Sequence, residues 1–273
     1  MDLIKPFDPW KSELCTCPKK YSFNPYTGCF HRCVYCYATY IPRFHEVRVK
    51  KDLFKRLERD LNRLPKNSLI SMSNSSDPYP PIEKHLEITR RCLEIMRDYD
   101  LRILIVTKGD FTRDLDILSE MRCAVSVTIT GCDRAEPYAP NTEERIEIFK
   151  KLKDFGIPAI LRFDPVMPRL NEGKLWIIEK CEPDQVVTST LKLRKDMFAR
   201  FTKAFPELKP LYTKLYLIEG EKVGSYYYLK RSKRLKIVRS IEEFCSEIGI
   251  PCSFCREGFD FNAESCDGSH LIQ

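Results

Sequence analysis

Three cysteines fall within eight residues of this chain, Cys29, Cys33 and Cys36 in the run CFHRCVYC, and that spacing limits what can surround them. C-x3-C-x2-C gathers three thiolates on one short loop, one fewer than the four that close a [4Fe-4S] cluster, so a cluster held there keeps an iron free to bind a small molecule. Structural zinc sites instead pair C-x2-C with a second pair further along the chain. The unequal gaps therefore favour iron–sulfur over zinc. The triple lies in a segment rich in Tyr, Pro, Gly and Asn, whereas an inert core thiol belongs on an apolar face.

The surrounding stretch FNPYTGCFHRCVYCYA, from Phe23 to Ala38, resembles the radical S-adenosylmethionine (SAM) enzymes, in the branch related to spore photoproduct lyase. The resemblance implies an α/β fold, a partial (β/α)6 TIM-type barrel. It implies that Cys29, Cys33 and Cys36 hold a [4Fe-4S] cluster whose free iron takes the amino and carboxylate groups of SAM. Reductive cleavage would then give a 5′-deoxyadenosyl radical that abstracts hydrogen from substrate, in an enzyme of lyase or transferase type. Tyr35 stands where relatives carry an aromatic residue near the adenine. The electron donor that such chemistry needs is a reduced ferredoxin or flavodoxin.

Composition agrees with a globular enzyme. Of 273 residues, 43% are hydrophobic and 31% charged, neither a disordered nor a fibrous balance. No run approaches a membrane span, and MDLIKPFDPW lacks the basic-then-apolar layout of a signal peptide, so the expected location is the cytoplasm, with no membrane partner. A cytosol keeps thiols reduced, which turns thirteen cysteines away from disulfides and toward metal. Cys92, Cys123, Cys132, Cys181 and Cys245 occur singly in helix or strand patterns and are expected to be inert.

After the cysteine loop, strand and helix patterns alternate, as in βα-repeated parallel sheets. Leu53 to Leu64 is amphipathic, Ser68 to Ser73 a short strand, and Ile82 to Tyr99 a helix with Ile88, Cys92, Ile95 and Met96 on one face. Leu101 to Thr107 is almost wholly apolar, as expected of a strand buried on both faces. A helix near Leu115 to Met121 precedes the strand Cys123 to Thr130. The next helix is capped by Thr142 and ended by Gly156. Ile157 to Pro168 and Asp184 to Leu191 are further strands around a helix from Glu172 to Lys180, giving about six βα units. Leu229 to Ile248 reads as a final helix, followed by an irregular cysteine-rich tail. The division expected is 1–28 as an N-terminal extension, 29–220 as the barrel, and 221–273 as the basic helix and tail.

Barrel chemistry belongs on loops at the C-terminal ends of strands. SNSSDPYPPIEK resembles the stretch where relatives carry a hydroxyl–Asp pair, which aligns Ser76 and Asp77 with SAM-contacting positions. VTKGD resembles their Thr-Lys exit and makes Lys108 the partner of the SAM carboxylate. VSVTIT resembles their Ser-x-Thr strand, and alternation puts Ser126, Thr128 and Thr130 on one face, toward the barrel interior. Arg162 and Asp164 are candidates for the substrate side. One departure stands out: spore photoproduct lyase donates hydrogen from a cysteine two residues before the aligned Ser, and Asn74 occupies that place. An amide is no ready hydrogen-atom donor, which points to a different substrate.

Cys15 and Cys17 near one terminus, with Cys252, Cys255 and Cys266 near the other, can close a second four-ligand site with one cysteine to spare, since chain ends often lie close together. An auxiliary iron–sulfur cluster, a structural zinc, or disulfides and free thiols all fit that spacing, with His270 as a substitute ligand. Net charge is +7, and Lys222, Lys230, Arg231, Lys233, Arg234, Lys236 and Arg239 gather around Tyr226, Tyr227 and Tyr228. Such a stretch can bind phosphates and stack bases of DNA or tRNA, or it can be a solvated helix face beside tyrosines packed on the core. Peptide or metabolite modification, and a non-catalytic metal or electron-transfer module, are the competing functions.

Overall fold

The computed structural model describes residues 2–7 and 12–273. Its centre is an eight-stranded sheet: β1 (Lys5–Pro6), β2 (Tyr21–Phe23), β3 (Ser68–Met72), β4 (Leu101–Thr107), β5 (Cys123–Thr128), β6 (Ala159–Val166), β7 (Gln185–Thr190) and β8 (Cys252–Phe254), neighbours in that order. β1 runs antiparallel to β2, and every pairing from β2 to β8 is parallel. Neighbours in space are thus neighbours in sequence. This is the singly wound order of a TIM-type barrel, and among the described residues no ladder joins β8 back to β2, so the barrel is partial.

Alternation decides what each face does. Ile103, Ile105, Val125, Val127, Leu161 and Phe163 point outward into the main core beneath the helices α1 (Leu53–Leu61), α2 (Ile88–Arg97), α3 (Leu115–Ser119), α4 (Thr142–Asp154), α5 (Trp176–Cys181) and α7 (Arg231–Glu247), while α6 (Lys195–Ala204) belongs to a separate cluster. The opposite parity faces inward. Leu69, Leu104, Ala124, Ile160 and Val187, near the strand starts, form an apolar floor that Ile272 of the tail plugs from below. Above it the inward positions turn polar: Ser71, Ser126, Thr128, Arg162, Asp164 and Ser189. A third cluster, with Phe201, Phe205, Tyr212 and Tyr216, packs beside the strand ends under α6.

The strands expected from the sequence lie within a few residues of those found, but the sheet is wider. β2 precedes Cys29, and β8 lies in the tail expected to be irregular, so the barrel sheet draws strands from both flanks of the 29–220 span. The helix expected over Ile82 to Tyr99 is two, Glu83–Leu86 and α2, because Glu87 between them adopts a left-handed conformation at φ 50°. The N-cap of α4 is Asn141, not Thr142: Asn141 Oδ1 accepts from Glu144 N and the Glu144 carboxylate accepts from Asn141 N, a reciprocal capping box. Among the described residues no helix is long and apolar enough to cross a membrane.

Candidate active site at the barrel mouth

The cysteine loop leaves β2 through Gly28, whose φ of +89° suits glycine, and whose Cβ, if it had one, would strike the backbone oxygens of Phe44 and Glu46. Cys29 N donates to Phe44 O (2.7 Å), Val34 N to Ala135 O (3.0 Å) and Cys36 N to Cys33 O (3.0 Å), which fix the three thiols on one short arch. Arg200 Nη2 donates to Cys36 O at 2.6 Å and ties the end of the arch to α6. All three are free thiols, Cys33 buried and the others half-buried. Burial pushes the Cys29 thiol up to about 12 and those of Cys33 and Cys36 upward too, with the Lys108 ammonium opposing the rise in each case. Three neighbouring thiols kept neutral by burial become thiolates when a strongly cationic guest such as a cluster core binds them. The donor set fits a [4Fe-4S] cluster with one iron left open.

Asp77 and Lys108 organise the adjoining strand exits. Asp77 Oδ1 accepts from Thr107 Oγ1 (2.7 Å) and Tyr79 N (2.9 Å); Oδ2 accepts from Lys108 N (2.7 Å) and lies 3.1 Å from His31 Nε2. Burial opposes ionisation of Asp77, but the His31 charge and these donors outweigh it and hold the carboxyl at about 2. Three hydrogen bonds and the His31 charge contact engage both carboxylate oxygens. Asp77 is therefore placed as a brace that joins the cysteine loop to the exits of β3 and β4. Ser76 is turned the same way, its Oγ donating to Tyr26 O at 3.1 Å. Asn74 is also structural: Nδ2 donates to Ser22 Oγ (2.8 Å) and Oδ1 accepts from Ser71 Oγ (2.9 Å).

Lys108 itself points into the mouth, with Nζ 5.7 Å from the centre of the Tyr35 ring. Burial alone would lower its pKa, yet the Glu136 and Asp77 carboxylates raise it, so Lys108 stays an ammonium. The Tyr35 hydroxyl donates to Glu136 Oε1. Glu136 Oε2 accepts from Arg145 Nη2 (2.6 Å) and Thr130 Oγ1 (3.0 Å), and Arg145 Nη1 donates to Thr128 O (2.8 Å). Glu136 and Arg145 are fully buried, so this network sets the position of Tyr35 from behind. Ser126 Oγ and Ser73 Oγ are buried with no partner among the described residues. Buried hydroxyls are seldom left so, and these two inward-facing ones fit the polar groups of a cofactor seated in the mouth.

Arg162 and Asp164 are ion-paired at 2.8 Å, and Ser189 Oγ donates to Asp164 at 2.5 Å. The five terminal cysteines divide. Cys17 Sγ lies 3.4 Å from Cys266 Sγ, Cys15 contacts Cys17, and Cys255 faces Cys17. Cys252 does not join them: three residues before Cys255 on one strand, it points to the opposite face and packs against Cys245 of α7. His270 Nδ1 is 2.8 Å from Ser265 Oγ. The tyrosines of the basic stretch are core residues, Tyr226 and Tyr228 being buried in the cluster under α6, and Arg234 is buried against Glu257 at 3.0 Å. That stretch is no stacking platform. Lys222, Lys230, Arg231, Lys233 and Lys236 remain exposed on it.

Sequence reasoning passed over His31, and it did not foresee that Glu136 and Arg145 form a buried pair behind Tyr35. His31 carried a signal, its place inside the cysteine motif.

A family model described as the radical SAM superfamily matches residues 23–180. An uncharacterized protein of Methanocaldococcus jannaschii is 32% identical over 190 residues, 66% of this chain and 71% of the relative. One from Acidianus two-tailed virus is 29% identical over 172 residues, 54% of this chain and 56% of the relative. Among solved structures, a spore photoproduct lyase variant with bound AdoMet and dinucleoside spore photoproduct superposes with a TM-score of 0.64 at 17% identity, over 90% of this chain and 79% of that one. The enzyme anSMEcpe with bound AdoMet and a peptide gives 0.52 at 14% identity, over 83% and 59%. With a cysteine arch, a polar mouth and a family match over more than half its length, the chain belongs to the radical SAM superfamily, whose members use a [4Fe-4S] cluster and SAM.

Proposed function

We propose that this chain abstracts a hydrogen atom from a nucleic acid, DNA or tRNA, as a lyase- or transferase-type enzyme of base or sugar modification or repair. When bound, the cluster and SAM supply the hydrogen-abstracting chemistry. The chain's own residues do the rest. Cys29, Cys33 and Cys36 hold the cluster; Lys108 meets the SAM carboxylate, and Ser126 and Thr128 bond its ribose or methionine part. Tyr35, held by Glu136, walls the adenine side, and Asp77 with His31 keeps loop and strand exits in register. A reduced ferredoxin or flavodoxin supplies the electron.

The observation that carries the substrate class is the rim. Phe30 and Tyr138, both exposed, stack edge to face at 5.5 Å beside the cysteine arch, with the Arg32 guanidinium 5.3 Å from the Tyr138 ring. Exposed Tyr40 lies across from Arg194 at 5.8 Å. Aromatic faces alternating with guanidinium groups suit exposed bases and their phosphates. The dinucleoside bound by spore photoproduct lyase supports the same reading. Asn74 in the place of a hydrogen-donating thiol argues for a product other than repaired spore photoproduct.

The test is SAM turnover by reconstituted protein with irradiated DNA, intact DNA, tRNA or peptides. Stimulation by a nucleic acid, lost in Phe30→Ala/Tyr138→Ala, is expected. Stimulation by peptide alone would overturn the reading.

A further inference from the structure

The partial barrel leaves a seam between β1, which edges β2, and β8, and segments from both ends of the chain lie along it. Lys20, buried just before β2, is ion-paired with buried Asp267 of the tail, and Gly268 sits so close to Ile160 that a Cβ there would clash with it. At this seam Cys17 and Cys266, about 250 residues apart, bring their sulfurs to 3.4 Å, with Cys15 hydrogen-bonded to Cys17 on one side and Cys255 nearby on the other.

We propose that Cys15, Cys17, Cys255 and Cys266 ligate a second iron–sulfur cluster that staples the two chain ends across the barrel seam. Four cysteinates are the ligand set of a closed cluster. No disulfide forms between them, although Cys17 and Cys266 are in sulfur contact at 3.4 Å. The surroundings are cationic, with Lys20 and Arg162 both facing Cys17, and a cluster with four thiolates is an anion. Zinc fits less well. Structural zinc favours C-x2-C knuckles, and the tail's C-x2-C splits across the two faces of β8. Among the described residues no three His, Cys, Asp or Glu side chains converge as on a single ion, neither in the seam nor at Cys29, Cys33 and Cys36. A cluster spreads its thiolates over several irons.

Because the protein saturates this cluster, no iron is open to SAM or substrate. Its position follows from the fold: Tyr37, which follows Cys36, faces Cys255 and Arg162 as well, so the seam adjoins the polar barrel interior.

The experiment is a count of iron, acid-labile sulfide and zinc in full-length protein reconstituted anaerobically, without any activity readout. The triple variant Cys29→Ala, Cys33→Ala, Cys36→Ala is expected to keep about two or four irons with matching sulfide, and the wild type to hold about four more. Cys17→Ser or Cys266→Ser should lose only the seam iron, and Cys252→Ala should keep the full complement. Should the seam variants not fold, the wild type and the triple variant decide alone. No iron in the triple variant, zinc in its place, or iron loss in Cys252→Ala would overturn the site and leave the barrel-mouth reading untouched.

Discussion

Asp77 Oδ2 and His31 Nε2 stand 3.1 Å apart and join the exit of β3 to the centre of the cysteine arch. The contact is buried on both sides, so it acts as a brace with little screening by solvent. Asp77→Asn keeps the size but presents an amide to three donors, and is expected to lower the apo protein's stability by about 2–4 kcal/mol. Denaturant unfolding measures it; a loss under about 0.5 kcal/mol would show the brace to be idle.

The same carboxyl sets an acid limit. Its pKa in the fold, about 2, lies below its ordinary value of 3.8, so the ionised form favours the folded state. That stability is fully present above the ordinary carboxylate range and is lost as pH falls toward about 2. Unfolding of the apo protein between pH 5 and 2 should therefore have a steeper acid limb in wild type than in Asp77→Asn. Parallel limbs would contradict the assignment.

Glu136 is expected to be the costliest single charge to remove. Glu136→Gln leaves the fully buried Arg145 without its main counterion, at about 3–5 kcal/mol. Asp133→Asn removes a half-exposed charge at 3.3 Å, keeps an oxygen to accept from Thr142 Oγ1, and should cost under about 1 kcal/mol. Thermal or denaturant unfolding of both variants checks the contrast.

Ser126 separates cofactor binding from packing. Its hydroxyl is buried without a partner, so Ser126→Ala should change apo stability by about 0.5 kcal/mol or less. Loss of one hydrogen bond to SAM should weaken SAM binding about tenfold by calorimetry of the reconstituted protein. Unchanged affinity with a destabilised apo protein would make the hydroxyl structural.

Gly28→Ala should disturb the arch. The added methyl meets backbone rather than a flexible side chain, at a φ of +89°, so the arch must shift and iron loading should fall by up to about four per chain. Gly173→Ala, with open space around it, is the matched control.

Much of this was legible in the sequence because long-range physics and local pattern agreed. Leu101 to Thr107 is apolar on both faces because helices cover one side and the barrel interior the other, and such a run needs no context to be seen. β2 and β8 are three residues each, too short for alternation to register, and only pairing with β3 and β7 makes them strands. The sorting of Cys252 from Cys255 followed from that same unseen strand. The pairing of Glu136 with Arg145 escaped notice because a buried ion pair and an exposed one look alike in sequence. Tyr226 and Tyr228 misled in the opposite sense: tyrosines among basic residues suit a nucleic-acid surface, and here the cluster under α6 buries them.

The most direct test of the account follows the abstracted hydrogen itself. Reconstituted protein, SAM and reductant are incubated with uniformly deuterated DNA or tRNA, and the 5′-deoxyadenosine formed is weighed by mass spectrometry. One deuterium acquired from the nucleic acid is the predicted result; 5′-deoxyadenosine that forms freely yet never carries that deuterium would contradict a nucleic-acid substrate.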